Sequence, residues 1–119
     1  MAYVSFIIED NNVAGAPRLH YVVFEPGAIN NWHTHEGGQI LIVTDGIGYH
    51  QIEGQQVEIL YPSEVVLCLP GVKRGHGGSV DTGFAYIAIN TNPGRTGLEW
   101  FDRISDEEYR QLTTETMEN

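Results

Sequence analysis

Apolar residues fall in short runs broken by Gly, Pro, Asn and Asp. Tyr3 to Ile8 and Leu19 to Phe24 read as strands, the second closed by Glu25-Pro26-Gly27. Gln39 to Thr44 is a third, ended by Asp45-Gly46. Gly48 to Ile52 and Gln56 to Leu60 flank Glu53-Gly54, which reads as a hairpin turn. Val65 to Leu69 precedes Pro70-Gly71, and Phe84 to Asn90 precedes Thr91-Asn92-Pro93-Gly94. Many short strands at such spacing predict a sandwich or barrel. Ile40-Leu41-Ile42-Val43 is apolar on both faces and needs cover on both, from a second sheet or a partner chain. Only the C-terminus reads as helix, over about 105–114: Ser105 is the N-cap, Glu108 completes a capping box, and Asp106 and Glu107 suit the positive helix start. Trp100, Phe101, Ile104, Tyr109 and Leu112 would dock that segment on the barrel.

At 119 residues and 41% hydrophobic content the chain fits a single domain, 1–119, with a real core. Sixteen acidic side chains against six basic ones give a formal charge of −10. That argues against nucleic-acid and acidic-membrane partners, because phosphate binding needs clustered Lys and Arg. The single Cys68 excludes an internal disulfide framework and a Cys-based zinc module. No apolar run reaches the ~20 residues that span a bilayer, and Met1-Ala2-Tyr3 does not start a signal peptide. A cytoplasmic protein is expected. The apolar N-terminal run would leave an open sheet edge, which predicts a homodimer joined by N-terminal strand exchange or sheet extension.

The candidate chemistry is concentrated between Gly27 and Gly46. His33 and His35 are two apart, so on a strand both project from one face and can hold one metal ion. Gly37-Gly38 lets the backbone bend and bring the Gln39 amide oxygen to the same ion. Imidazoles plus an amide oxygen suit manganese, zinc, iron, nickel or cobalt better than calcium or magnesium. All these ligands are neutral, so an oxygen bound to the ion would be acidified strongly. No nucleophile with a partnered base is visible. His50 reads as an exposed hairpin residue, Cys68 as a small buried hydrophobe, and Trp32 as a pocket wall or core residue.

This stretch resembles the first motif of the cupin family: Gly27, five residues, His33-x-His35, three residues, Gln39, six residues, Gly46. Leu69 to Gly77 resembles the second motif. The wording Phe24-Glu25-Pro26-Gly27, Trp32-His33-Thr34-His35 and Gly38 to Thr44 is similar to one subgroup. That subgroup contains small cupins related to carboxymuconolactone decarboxylases and bacterial cupin-type hydroxynitrile lyases. The resemblance implies an antiparallel jelly-roll β-barrel and a divalent transition metal on His33, His35 and Gln39. It also implies a small oxygenated substrate handled by lyase or decarboxylase chemistry. Where the subgroup has its fourth ligand, this chain has Arg74; His76 matches the next His of that motif. The slot of a later acid–base His holds Tyr86, and an inward slot usually kept small holds His20. His20, His76 and Tyr86 are therefore the candidate proton carriers.

Arg74 leaves three expectations open. A guanidinium about 5 Å from a divalent ion, at an effective dielectric near 20, is repelled by roughly 6–7 kcal/mol. Arg74 therefore points its head into solvent, or His76 replaces it as fourth ligand, or the barrel holds an anion instead of an ion. The last case describes a non-catalytic small-molecule or anion-binding cupin lacking a metal.

Overall fold

The computed structural model describes residues 2–8, 18–92, 95 and 97–101. Its strands are β1 (Ala2–Ile8), β2 (Leu19–Phe24), β3 (His33–His35), β4 (Gln39–Gly46), β5 (Gly48–Ile52), β6 (Glu58–Leu60), β7 (Val65–Cys68), β8 (Arg74–Gly78), β9 (Phe84–Asn90) and β10 (Leu98–Trp100). They form two five-stranded antiparallel sheets, ordered β1-β2-β9-β4-β7 and β10-β3-β8-β5-β6. The helix expected at about 105–114 lies outside the described residues. Among those described, no helix is long and apolar enough to cross a membrane.

Alternation decides what faces inward. Register sets Val22 opposite Tyr86 and Phe24 opposite Phe84 across β2 and β9. Leu41 lies opposite Ala88, and Val43 opposite Tyr86, across β4 and β9. These residues, with Ala28, Leu60 and Cys68, form the buried core between the sheets. Phe24 and Phe84 lie 5.1 Å apart, centroid to centroid. The outward Ile40 and Ile42 are only half-buried, so the second face of β4 lacks the full cover its sequence invites.

Two glycines have physical reasons. Gly46 ends β4 at φ +72°, a left-handed conformation that disfavours any side chain. At Gly48, on the inward face of β5, a Cβ would overlap the Phe84 ring.

Leu98–Trp100, not read as a strand from the sequence, is one, and it pairs with β3, Trp100 opposite His33. The turn expected at Glu53-Gly54 is present; β6 starts at Glu58, two residues later than read, and the register sets His50 opposite it.

Candidate functional site

The inward positions at one end of the barrel are polar. β3 contributes His33 and His35, with rings 5.0 Å apart and edge-on. His33 is buried, and its Nδ1 lies 2.9 Å from the Asn31 carbonyl. A carbonyl only accepts, so Nδ1 carries the proton and Nε2 keeps its lone pair for a ligand. Burial holds the His33 pKa down to about 4, helped by the Arg74 charge. His35 is held down to about 3 by burial, then by the charges of His33 and Arg74. Both rings are therefore neutral at pH 7, as a metal ligand must be.

Gln39 opens β4 after a clamped turn. Thr91 Oγ1 and Asn92 Nδ2 both donate to the Gly37 carbonyl, at 2.6 and 2.9 Å. The buried Gln39 side chain donates from Nε2 to Asn90 Oδ1 at 2.9 Å. That bond orients the amide and leaves Oε1 as the atom able to accept or ligate. Half-buried His35 opens on a small surface hollow of about 20 Å³, lined also by Arg18, Asn90 and Arg95.

His76 projects from the glycine-rich β8, which is a paired strand and not a loop. Its ring lies 5.5 Å from His33, 5.0 Å from His50 and 5.7 Å from Tyr86. Asn30 Oδ1 accepts the His76 backbone N–H at 2.8 Å, so Asn30 Nδ2 is the atom facing His76 Nδ1, at 3.5 Å. The proton of the neutral ring then sits on Nε2, which is buried and has no partner among the described residues. Burial, then the charges of His50 and His33, holds the His76 pKa well below its ordinary value.

The expectation of an exposed His50 fails: it is 2% exposed. Both faces of β5 are covered, because Tyr49 on the other side packs with Val57, Ile29 and Ile59. His50 Nδ1 faces Glu58 Oε1 at 3.2 Å, while Nε2 is buried without a partner. His50, His76 and buried Cys68 bring their ligand atoms within 4.8 Å of one another, a group able to hold a metal ion. Burial pushes the Cys68 thiol up to about 11, so it is protonated at neutral pH. This group was not singled out from the sequence. The one available signal was the symmetry of His50 and Glu58 about Gly54.

Arg74 settles one of its three expectations: its head is not in solvent. It sits opposite His33 in the ladder and is 0% exposed. Nη1 donates to the carbonyls of Leu69 and Val72, at 3.2 and 3.1 Å. Nε and Nη2 have no partner among the described residues.

The remaining candidates lie around this cluster. His20, inward on β2 opposite Ala88, is half-buried; burial and then Arg18 lower its pKa, and its charge in turn acts on His35. Tyr86 is packed among Phe24, Phe84 and His76, and burial pushes its pKa up. Trp32 lines a separate hollow with Tyr49, Val57 and Gly75.

A closed pair of antiparallel sheets with imidazoles and an amide converging at one end is the architecture of a double-stranded β-helix protein. The comparisons make that specific. No protein-family model matches the chain. The (R)-mandelonitrile lyase of Granulicella tundricola is 43% identical over 99 residues, 83% of this chain and 72% of that protein. A cupin-like protein from Thermotoga maritima is 39% identical with a TM-score of 0.87, over 93% of this chain and 84% of that one. A DMSP lyase from Ruegeria pomeroyi shares the fold at 16% identity and a TM-score of 0.72, over 83% of this chain and 51% of that one. The chain belongs to the cupin family.

Proposed function

We propose that this cupin is a metal-dependent enzyme acting on a small oxygenated molecule by lyase or decarboxylase chemistry. His33, His35 and Gln39 would hold a divalent transition ion, whether manganese, zinc, iron, nickel or cobalt. His76 would be the fourth ligand after its proton moves to Nδ1, which turns that atom from acceptor to donor and gives up its hydrogen bond from Asn30 Nδ2. Two imidazoles neutral at pH 7, an amide oriented by Asn90 and a buried orphan nitrogen on His76 support this set, while the ligand atoms that lie within 4.8 Å of one another are those of His50, Cys68 and His76. The observation that carries the reading is His33, whose Nδ1–H is tied to Asn31 and whose Nε2 is thereby kept for ligation. A relative named as a lyase at 43% identity supports the reaction class.

When bound, the ion would polarise a substrate carbonyl or hydroxyl oxygen. His20, neutral at pH 7 and half-buried at the polar end, is then the best-placed proton acceptor. Tyr86, held protonated inside the core, can donate but not accept at neutral pH. Metal analysis of purified protein tests the reading, together with benzaldehyde release from (R)-mandelonitrile. A near-stoichiometric ion lost in His35→Ala is expected. Less than about a tenth of an equivalent after refolding with each metal would remove it.

One observation favours a second reading, a metal-free binding protein for small anions: the buried guanidinium of Arg74 with two idle donors. Under either reading we place the protein in the cytoplasm as a single domain and a homodimer, without nucleic-acid or membrane partners. Support for the dimer comes from β1, which ends its sheet with Tyr3 and Val4 exposed. A monomer in sedimentation at micromolar concentration would end that proposal.

A further inference from the structure

We infer that the small molecule bound in this barrel carries a carboxylate, and that Arg74 grips it through its Nε–H and Nη2–H edge. Nη1 is anchored by the Leu69 and Val72 carbonyls, which fixes the guanidinium plane. The atoms left over are Nε and Nη2, the two parallel donors that match the two oxygens of a carboxylate. An arginine with no exposed surface and no acidic partner among the described residues carries a large desolvation cost, which a bound anion relieves. Two residues further along the same inward face, His76 adds a third buried donor at Nε2 in the metal-free protein.

Charge narrows the anion. A planar monoanion balances one guanidinium, whereas a phosphate dianion would leave a buried charge unmatched. The chain carries only six Lys and Arg, yet Arg74 lies in this end of the barrel, and Arg18 lines the hollow beside His35 together with Arg95, which is paired with Glu36. That placement, in a chain of charge −10, draws anions to this opening.

The inference rests on the proposed use of the barrel's polar end as the binding site, but not on the metal. The full-length protein is titrated with lactate and with lactamide, its neutral isostere, as purified and again after EDTA treatment. Lactate is expected to bind about 10- to 100-fold more tightly than lactamide, a preference lost in both Arg74→Met and Arg74→Lys. In wild-type protein, the Arg74 Nε–H resonance in a ¹H–¹⁵N spectrum should move with lactate and stay put with lactamide. This second readout needs no variant to fold. Equal binding of the two probes, no binding of either, or a resonance indifferent to lactate would overturn the inference. Metal content is scored separately. Selective lactate binding without any metal removes the proposed enzyme and keeps the carboxylate; stoichiometric metal without selectivity does the reverse.

Discussion

The two ends of the barrel are built on the same strands and obey opposite rules. Inward residues run His20, Val22, Phe24 along β2, and Gln39, Leu41, Val43 along β4. Along β9 they run Asn90, Ala88, Tyr86, Phe84. Each strand passes from polar to apolar in the same direction. At the apolar end every inward group gains by leaving water. At the polar end buried nitrogens of His50, Arg74 and His76 lack partners among the described residues, a cost that binding a ligand would relieve. The fold is held by one end so that the other can remain unsatisfied.

The largest expected effect is at the apolar end. Phe84→Ala removes the ring that packs against Phe24, Tyr86 and Gly48 and should cost about 3–5 kcal/mol in urea unfolding. A loss under about 1 kcal/mol would mean that this end does not hold the barrel together.

Arg74→Met tests the opposite end. Replacing an uncompensated buried charge with an apolar stem should leave stability unchanged or raise it by about 1–4 kcal/mol. A clear drop in the same assay would show that the arginine is structural.

Acid should act at the polar end through its buried histidines. In the metal-free protein His33 and His35 have folded-state pKa values depressed to about 4 and about 3. Between these values and the ordinary 6.5 the unfolded chain binds protons that the folded one refuses. Stability is therefore complete above pH 6.5 and declines as pH falls towards 4, by up to about 1.4 kcal/mol per pH unit for each histidine. His33→Phe should flatten the slope of stability against pH; an unchanged slope would show that His33 does not contribute to it.

The smallest expected effect is Glu58→Gln. Its carboxylate faces His50 Nδ1 from an exposed position, so the change should cost less than about 1 kcal/mol in thermal melts. A larger loss would make this hairpin pair part of the barrel's scaffold.

Much of this was legible in the chain. The strands Leu19–Phe24, Gly48–Ile52 and Phe84–Asn90 have the bounds that alternation and turn residues mark, because each run is local and closed by its own Gly, Pro or Asn. The His33-x-His35 pair lies on one strand, where a period of two puts both rings on the same face without help from the rest of the molecule. What alternation cannot say is what covers each face. His50 is buried because β8 pairs along one side of β5 and β6 along the other, while Tyr49 is roofed by Ile29 and Val57. Leu98–Trp100 is a strand because β3 offers it a free edge.

The sequence by itself thus determined strands, turns and the spacing of His33, His35 and Gln39, all matters of local geometry and of side chains within a few residues. Only the tertiary structure decided that Arg74 is interior, which of its nitrogens are engaged, and that His50 and Cys68 join His76. Burial and hydrogen-bond partnership belong to strands that meet in space from distant parts of the chain, and no short-range pattern encodes them.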